Sequence, residues 1–272
     1  MKKLLHLSDL HFGRVNNSLV QPLLAIAREL APDLVVISGD FTQRARRAQF
    51  RAAAAFLESL PKPRLVVPGN HDIPLWDVVR RFVRPLGRYR RYITRDLAPF
   101  YHDDEIAVLG INTARSLTRE FGRINEEQIR HAGDVFARLK PGVVKVVVTH
   151  HPFDLPPGSH NRLVGRSAMA MRGLAAAGVD LILSGHLHLQ RTTLSAQRYH
   201  IEGHSALVAQ AGTTISTRGR GEANSFNFIH ASREQIRIDH YLWHLDAARF
   251  IPGTSESFSW SGKEWRRLSP NE

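Results

Sequence analysis

The sequence predicts an α/β fold in which helices alternate with the buried strands of a parallel or mixed sheet. Three short apolar runs near the N-terminus, residues 4–7, 34–37 and 65–67, each stop at polar residues, proline or glycine, as buried strands do. Residues 19–30 have helical spacing of leucine and isoleucine, and residues 49–60 are rich in alanine. Strands separated by helices indicate βαβ units.

Residues 73–104 interrupt this alternation. They are rich in arginine and aromatic residues and have helical character only near residues 76–83, so we expect an excursion over the surface. The pattern then resumes, with further strands predicted at residues 106–111, 143–148 and 181–183. Further helices are predicted at residues 126–139 and 167–177.

The last third of the chain is predicted to contain strands with antiparallel connections. Segments of this kind occupy residues 199–201, 206–210, 226–230 and 235–245. From about residue 247 the chain is polar, with aromatic residues but no clear period, and is expected to form a tail. Because residues 1–272 contain neither a linker nor an internal repeat, we expect a single domain.

The charge of the chain is strongly basic. Its 272 residues include 37 Lys and Arg against 25 Asp and Glu, which gives a net charge of +12 with neutral histidines. Arginine accounts for 31 of the basic residues and lysine for 6. Planar guanidinium groups bind phosphate in pairs of hydrogen bonds, so the excess suits an anionic partner. A bias in composition, with alanine also abundant, explains it equally well.

Several classes of site and of protein are excluded by what the sequence lacks. No cysteine is present, which excludes disulfides, thiolate metal sites, iron–sulfur clusters and cysteine nucleophiles. No segment approaches the ~20 apolar residues of a membrane-spanning helix. The apolar run after Lys2 and Lys3 stops at His6, so no secretory signal is expected. We therefore expect a cytoplasmic protein without a membrane span, of undetermined oligomeric state.

Five of the predicted strands are followed by residue types that commonly ligate metals in proteins. Ligands gather at the carboxyl ends of strands in α/β sheets, so these side chains are expected to share one edge. In chain order they are Asp9 and His11, Asp40, Asn70 and His71, His150 and His151, and His186 and His188. Oxygen and imidazole donors suit Mn, Fe or Zn, with Co or Ni as alternatives, and disfavour copper.

Glycines precede three of these residues. Gly39, Gly69 and Gly185 stand directly before the strand-end residues Asp40, Asn70 and His186. A residue without a Cβ permits a tight turn and a close approach of backbone to an ion.

Five motifs in fixed order resemble those of the calcineurin-like metallophosphoesterase superfamily, in particular its bacterial cyclic-nucleotide phosphodiesterase group. They span residues 9–188, about two thirds of the chain. The motifs are Asp9-Leu10-His11, Gly39-Asp40, Gly69-Asn70-His71-Asp72, Thr149-His150-His151-Pro152 and Gly185-His186-Leu187-His188.

The resemblance implies a four-layer α/β/β/α sandwich of two mixed sheets, with a dinuclear metal site at the carboxyl ends of the strands. The late strands would then form much of the second sheet. By motif match, one ion is held by Asp9, His11 and His188, and the other by Asn70, His150 and His186. Asp40 bridges the two ions, and His71 is a catalytic residue that does not ligate.

The chemistry that this implies is phosphoester hydrolysis. Two divalent ions bind the phosphoryl oxygens and lower the pKa of a bridging water to give a hydroxide nucleophile. His71, oriented by Asp72, is suited to protonate the leaving alkoxide or to stabilise its charge. His150 is preferred to His151 as the ligand because it is nearer to the strand end, although the motif alone leaves this choice open.

The substrate stays open at this point. A phosphodiesterase of small molecules such as cyclic nucleotides is the first hypothesis, because chain length and motifs resemble that group. A DNA or RNA nuclease is an alternative that the charge of +12 favours. A pyrophosphatase of a nucleotide-linked lipid is a third, because residues 73–104 contain apolar side chains that suit a cap over a lipid.

Three further residues are candidates for contact with substrate. Arg218 and Arg220 lie in a long loop, residues 212–227, that is rich in Gly and Thr and follows a predicted strand. His151 is the third. A flexible hairpin is the alternative interpretation of that loop. The arginines of residues 80–95 form either a solvated face or a surface for nucleic acid or lipid phosphate.

Overall fold

Two β-sheets lie face to face in the computed structural model, and helices cover their outer faces. The structure describes residues 1–118, 120–219 and 221–269. The strands are β1 (Lys2–Leu7), β2 (Leu34–Ser38), β3 (Arg64–Val67), β4 (Phe100–His102), β5 (Ile106–Gly110), β6 (Val144–Val148), β7 (Leu181–Ser184), β8 (Arg191–Leu194), β9 (Leu207–Gln210), β10 (Ser225–Ala231), β11 (Gln235–His244), β12 (Arg249–Trp260) and β13 (Trp265–Arg267). The α-helices are α1 (Val20–Glu29), α2 (Arg47–Ser59), α3 (Val78–Val83), α4 (Gly87–Tyr92), α5 (Glu126–Phe136) and α6 (Ser167–Ala176).

Both sheets are mixed. The first has the strand order β13-β12-β11-β10-β1-β2-β3, and the second has the order β4-β5-β6-β7-β9-β8. Strands β1, β2 and β3 run parallel to one another, and so do β5, β6, β7 and β9. The remaining pairs are antiparallel. The α/β class and the two mixed sheets expected from the sequence are confirmed.

Three hydrophobic cores separate the four layers. In β2, Leu34 and Val36 face the core between the sheets, whereas Val35 and Ile37 face α1 and α2. In β6, Val146 faces the central core and Val147 faces α5 and α6. Strands buried on both faces need apolar residues at every position, which is why these strands are continuous apolar runs in the sequence.

The position of the late strands differs from the expectation. Of the strands after residue 190, only β8 and β9 belong to the second sheet, while β10 to β13 extend the first sheet beyond β1. Residues 199–201 are not a strand, because the Tyr199 backbone N–H donates to the Ser195 carbonyl and closes a turn instead. The parallel pairing of β7 with β9 is made through a crossover that contains β8.

The segment from residue 247 is not a free tail, because it forms β12 and β13. Within β12 only Phe250 and Phe258 are buried, eight positions apart. The other side chains of the strand are partly or fully exposed, so no alternation of polar and apolar residues reveals it. Trp265 anchors β13 in the central core, and its indole N–H donates to Asp180 Oδ1 at 2.9 Å.

Residues 73–104 form α3, α4 and β4; α4 packs against α2 on the first sheet, and β4 is an edge strand of the second sheet. The segment is less superficial than expected, since Tyr89 of α4 is fully buried against Phe41 and β4 pairs with β5. Within the described part of the chain, no helix has both the length and the apolar content needed to cross a bilayer.

Candidate metal centre

Side chains that follow β1, β2, β3, β6 and β7 converge at one end of the two sheets. The strands of the first sheet supply Asp9, His11, Asp40 and Asn70, and the second sheet supplies His150, His186 and His188. Four overlapping groups of possible ligand atoms form there, and within each group the atoms lie within 4.8 Å of one another. The first cluster is Asp9 with His11 and His188, and the second is His150 with His151 and His186. The other two groups contain Asp40, with His11 and His71 in one and with Asp9 and His150 in the other.

The first cluster is centred on one oxygen of Asp9. Asp9 Oδ1 lies 3.1 Å from His188 Nε2 and 3.4 Å from His11 Nε2. The two imidazole Nε2 atoms are 3.2 Å apart. The other oxygen of Asp9, Oδ2, accepts hydrogen bonds from Ser8 Oγ at 2.7 Å and from the His186 backbone N–H at 2.9 Å. One side of the carboxylate is therefore fixed, and the other is directed at the two imidazoles.

Asp40 is arranged in the same way and lies between the two clusters. Its Oδ1 accepts a hydrogen bond from the His71 backbone N–H at 2.8 Å. Its Oδ2 lies 3.4 Å from His150 Nε2 and 3.7 Å from His11 Nε2. On the second-cluster side, Asn70 Oδ1 is 3.1 Å from His150 Nε2. Asp40 is thus within reach of both clusters.

Backbone carbonyl groups fix the orientation of two of the imidazoles. His150 Nδ1 lies 2.7 Å from the Ser38 carbonyl oxygen, and His188 Nδ1 lies 2.7 Å from the Arg218 carbonyl oxygen. A carbonyl only accepts hydrogen bonds, so each Nδ1 carries the hydrogen in the neutral ring. The Nε2 lone pair of each ring is then free to face the carboxylates, as in a metal ligand.

The backbone is strained at five of these residues. Positive φ angles of 53°, 47°, 53°, 74° and 58° occur at Asp9, His11, Asp40, His186 and His188. Left-handed conformations of non-glycine residues cost about 1–3 kcal/mol each and concentrate at functional sites. The turns that follow β1, β2 and β7 therefore direct these side chains into the site at an energetic cost.

The glycines before these residues are required by their neighbours. A Cβ on Gly69 would lie 2.1 Å from Asp40 Oδ1, and a Cβ on Gly39 would lie 2.6 Å from His150 Nδ1. A Cβ on Gly185 would lie 1.8 Å from Ser8 Oγ. The close approach inferred from the sequence therefore has a specific cause, which is contact with the side chains of the site.

The charges of the cluster suit bound cations. Burial raises the pKa of the Asp9 carboxyl, but His188 and His11 outweigh it and hold that pKa well below its usual value. The pKa of Asp40 is lowered by His150 and His71 against the same effect of burial. Asp9 Oδ1 is buried, and no donor within the described residues makes a hydrogen bond to it. A buried carboxylate oxygen with imidazole nitrogens as its neighbours fits divalent metal ions, and the nitrogen and oxygen donors fit the metals expected from the sequence.

His71 lies beside this cluster and is held by groups outside its own motif. Its Nδ1 is 2.9 Å from the Gln43 carbonyl oxygen, and its Nε2 is 2.9 Å from Arg218 Nη1. Burial lowers the pKa of His71, and the Arg218 guanidinium lowers it further, whereas Asp40 raises it. Because the Gln43 carbonyl takes the Nδ1 hydrogen, Nε2 is the ring atom available for proton exchange in the cleft.

Asp72 does not orient His71, contrary to the expectation. Its carboxylate is fully buried and accepts hydrogen bonds from the backbone N–H groups of Phe41, Thr42 and Gly69 at 3.2, 2.9 and 3.0 Å. The Thr42 hydroxyl adds a fourth at 3.0 Å. Asp72 therefore ties the turn after β2 to the turn after β3, which positions Asp40 and Asn70.

His151 is not placed to contact substrate. It is fully buried, and its Nδ1 lies 2.6 Å from Thr113 Oγ1. Its ring centre is 4.9 Å from those of His150 and His186, so proximity alone does not separate it from a metal ligand. His150 contacts Asn70 and Asp40 in addition, which favours His150 as the ligand.

A cleft of about 400 Å³ opens above the cluster. Its wall includes Arg218, which the sequence singled out, whereas Arg220 lies outside the described residues. The loop that contains Arg218 is not a free hairpin, since Ile215 is fully buried and the Thr214 hydroxyl donates to the Ser8 carbonyl.

Sequence reasoning missed several residues of the cleft. They are Glu120, Phe121, His160, Asn161 and Arg162. The last three stand in a polar loop that follows the Thr149–Pro152 motif and begins with two prolines and a glycine. A loop with histidine, asparagine and arginine directly after a ligand motif is the signal that could have identified them.

Comparison with known proteins supports the resemblance to metallophosphoesterases seen in the sequence motifs. The calcineurin-like phosphoesterase family matches residues 2–190. A transmembrane protein with metallophosphoesterase domain from Danio rerio is 41% identical over 80 residues, which are 28% of this chain and 18% of that protein. The glycerophosphodiester phosphodiesterase GpdQ of Enterobacter lignolyticus (strain SCF1) is 37% identical over 81 residues, 25% of this chain and 29% of that protein. The matched segments thus cover less than a third of either curated relative.

Solved structures share the fold at low sequence identity. The purple acid phosphatase PPD1 from yellow lupin (Lupinus luteus) seeds superposes with a TM-score of 0.68 and 13% identity, over 95% of this chain and 53% of that one. PhoD superposes with a TM-score of 0.70 and 10% identity, over 98% and 71%. The family match spans more than half of the chain and includes all five motifs. The chain belongs to the calcineurin-like phosphoesterase family of metal-dependent hydrolases.

Proposed function

We propose that the protein is a phosphodiesterase that uses two divalent metal ions. The observation that carries this proposal is the position of Asp40, one of whose carboxylate oxygens lies 3.4 Å from His150 Nε2 and 3.7 Å from His11 Nε2. A carboxylate between two sets of imidazole and carboxylate donors is suited to serve two ions at once.

The ligands divide into two sets around Asp40. In this proposal Asp9, His11 and His188 would hold one ion and Asn70, His150 and His186 would hold the other, with Asp40 within reach of both. Such ions would supply positive charge to the phosphoryl oxygens and would lower the pKa of water at the site. Mn, Fe or Zn suits these donors, with Co or Ni as alternatives.

The residues of the chain bind the phosphoester and handle the leaving group. Arg218 Nη1 and His71 Nε2 lie 2.9 Å apart on the wall of the cleft, the distance of a hydrogen bond that Arg218 donates to the neutral ring. In this proposal an anionic phosphoryl oxygen replaces that contact, accepts hydrogen bonds from Arg218, and raises the pKa of His71 so that Nε2 binds a proton. His71 then donates its Nε2 proton to the departing alkoxide oxygen, while the Gln43 carbonyl retains the hydrogen on Nδ1.

A small phosphodiester is the substrate that the cleft favours. Its volume of about 400 Å³ is in the range of sites for small molecules. The wall is mainly polar and includes Arg162 and Arg218, which suit an anionic substrate. Cyclic nucleotides remain our first candidate, and glycerophosphodiesters are the second because one relative is named for that activity.

The test is a panel of substrates assayed with each metal. It comprises cyclic AMP, glycerophosphocholine and bis-p-nitrophenyl phosphate as diesters and p-nitrophenyl phosphate as a monoester, in the presence of Mn, Zn, Co, Ni or Mg. We expect hydrolysis of diesters that is lost in the Asp40→Ala variant. Activity on the monoester alone, or an unchanged rate in that variant, would contradict the proposal.

A nuclease is the second candidate, favoured by a cleft that adjoins the first. This second cleft, of about 260 Å³, shares Asn70, His71, Glu120 and Arg218 with the first and adds Arg44 and Arg81. The guanidinium groups of Arg44 and Arg218 beside the site suit the backbone of a nucleic acid. DNA retardation in a gel at low salt, lost at high salt, would favour this candidate, and no retardation would remove it.

The pyrophosphatase alternative finds no comparable support. It requires an apolar cap over the site, formed by apolar residues of the 73–104 segment. Ile73 and Leu75 of that segment line the second cleft, but its exposed apolar residues, from Trp76 to Val83, line neither cleft of the site. They face outward.

A further inference from the structure

The surface around α3 is unusually apolar. Ten large hydrophobic side chains are exposed among the described residues, and half of them lie between residues 76 and 83. Trp76 is 80% exposed and Val79 is 75% exposed, followed by Val83 at 71%, Val78 at 60% and Phe82 at 54%. Scattered exposed apolar residues are ordinary, but a contiguous group of this size marks an interaction surface. We name residues 76–83 the apolar ridge.

The helix in this ridge is inverted relative to an ordinary surface helix. Its one buried residue is Arg81, which is 7% exposed. Arg81 Nε donates to the Ser116 carbonyl at 2.9 Å, and Nη1 donates to the Pro74 carbonyl at 3.1 Å. These bonds hold the charged side chain inward and turn the apolar side chains outward. Leu117, next to Ser116, is 87% exposed and lies beside the ridge.

Positive charge borders the ridge on the side of α4. Arg84, Arg90, Arg91 and Arg95 are all exposed along the segment that follows. The acidic side chain at the start of the helix, Asp77, is neutralised by an ion pair with Arg80 at 2.8 Å. Between α3 and α4 lies a pocket of about 500 Å³ lined by Val83, Leu86 and Leu97 together with Arg84, Arg90 and Arg115.

We propose that the apolar ridge inserts into the interfacial region of a bilayer rich in anionic phospholipids. Interfacial membrane anchors combine Trp, Phe and Val side chains with nearby arginines, as this surface does. Their apolar face enters the boundary of the acyl chains, and their cations contact headgroup phosphates. Both apolar and arginine side chains line the pocket between α3 and α4, so in this proposal it accommodates a headgroup phosphate beside apolar walls.

Charge complementarity favours this occupant over a second copy of the chain. Two ridges packed against each other would bring like-charged arginine rims together, which opposes association. Membrane binding by the ridge does not depend on the reaction catalysed. Ile73 and Leu75, which precede the ridge, and Arg81, which anchors it, line the second cleft next to His71. A docked bilayer would therefore lie next to the mouth of the metal centre.

Sedimentation of the full chain with lipid vesicles tests the proposal. We expect binding to vesicles of phosphatidylglycerol mixed with phosphatidylcholine at low salt, and much weaker binding to pure phosphatidylcholine. The variant with Trp76→Ser and Phe82→Ser should bind about tenfold more weakly, because it loses two interfacial anchors. The matched control is Leu245→Ser, which removes a side chain that is also 80% exposed but lies elsewhere.

A second pair of variants tests the arginine rim. Arg84→Gln with Arg90→Gln should weaken binding to the anionic vesicles by at least about tenfold. Arg51→Gln with Arg130→Gln removes two exposed charges from α2 and α5 and should leave binding unchanged. Because all of these side chains are exposed, the variants should keep the thermal unfolding of the parent, which is measured alongside.

Three results would overturn the proposal. The first is the absence of sedimentation with anionic vesicles at low salt. The second is equal binding by the parent and the Trp76→Ser, Phe82→Ser variant. The third is a dimer in sedimentation velocity experiments that becomes a monomer in that variant, which would assign the ridge to self-association.

Discussion

Single residues of the metal centre depend on neighbours that the local sequence does not reveal. The residue types at the strand ends were predictable, because Asp, Asn and His follow five apolar runs in the order of a known set of motifs. The groups that orient them were not. The carbonyl oxygens of Ser38, Gln43 and Arg218 hold three imidazoles, and a backbone atom leaves no signature in the residue type. For the same reason the sequence did not reveal the role of Asp72, which follows His71. Its carboxylate accepts hydrogen bonds from backbone N–H groups instead of orienting the His71 imidazole.

The first prediction concerns Gly69. We expect Gly69→Ala to weaken metal binding about 10- to 100-fold, the usual effect of disturbing groups that position ligands. The added Cβ would lie 2.1 Å from Asp40 Oδ1 and 2.4 Å from the Asp40 backbone nitrogen, so Asp40 must move. Calorimetric titration of the metal-free protein with Mn or Zn measures the change.

The control for this variant is Gly133→Ala. Gly133 is inside α5, and among the described residues a Cβ there would meet no atom within 4 Å apart from its chain neighbours and the backbone of its own helix. This variant should bind metal as the parent does and should gain up to about 1 kcal/mol in the free energy of unfolding, because alanine favours a helix. Equal metal affinity of the Gly69→Ala variant and the parent would show that Asp40 tolerates the added methyl.

The second prediction separates Asp72 from His71. Asp72→Ala should lower the free energy of unfolding by about 3 kcal/mol or more, because it leaves three buried N–H groups without an acceptor. His71→Asn should change it by less than about 1 kcal/mol and yet reduce kcat at least about a hundredfold, as expected for loss of a general acid.

Urea unfolding and steady-state kinetics on both variants check this pair of effects. The parent protein and the Asp40→Ala variant provide the references for full and absent activity. A His71→Asn variant that turns over at the rate of the parent would exclude His71 as the proton donor. An Asp72→Ala variant of unchanged stability would contradict the structural role of Asp72.

At the scale of elements, buried parallel strands were predictable and edge strands were not. Strands such as β2 and β6 are apolar at every position because both faces are covered. Strand β12 of the first sheet is covered by the edge strand β13 only over its last three residues, and it buries only two residues out of twelve, so its polarity suggested a tail. Its pairing with β11 supplies backbone hydrogen bonds that do not depend on the side chains.

The third prediction concerns His6, which joins β1, β2 and β10. His6 is fully buried, with Nε2 2.9 Å from Ser38 Oγ and Nδ1 3.3 Å from Asn227 Nδ2. Because an amide nitrogen only donates, His6 Nδ1 accepts and the ring is neutral. Burial lowers the pKa of His6 from 6.5 to about 3, although Asp9 opposes this shift.

The folded pKa of His6 is below the unfolded pKa, so the unfolded chain binds more protons between pH 6.5 and about 3. The free energy of unfolding should therefore fall as the pH falls through this window, by about 1.4 kcal/mol per pH unit from this residue. His6→Gln should remove that part of the slope. Urea unfolding at pH 7, 6 and 5 measures it.

The control is His131→Gln, in which the replaced imidazole is exposed on α5. This variant should keep the slope of the parent. A His6→Gln variant whose stability depends on pH as steeply as that of the parent would show that His6 is protonated without loss of the fold.

At the scale of the whole molecule, the metal centre connects the two sheets. Asp9, Asp40 and Asn70 follow strands of the first sheet, whereas His150 and His188 follow strands of the second. Two buried carboxylates and five residues with strained backbone conformations lie together at the end of the two sheets. Bound cations would offset both, by pairing with the carboxylates and by fixing the turns. The centre is thus expected to stabilise the fold as well as to act on substrate.

The last prediction follows from this connection. Removal of metal with a chelator should abolish hydrolysis of bis-p-nitrophenyl phosphate and should also lower Tm. At a free metal concentration a thousand times Kd, one bound ion stabilises the folded chain by about 4 kcal/mol. Elemental analysis of the purified protein should give two ions per chain, and Tm should recover when Mn or Zn is restored. The Asp40→Ala variant is the control, since its Tm should respond little to chelator or metal. A parent protein that loses its ions without a change in Tm would show that the packed cores alone, and not the ions, hold the two sheets together.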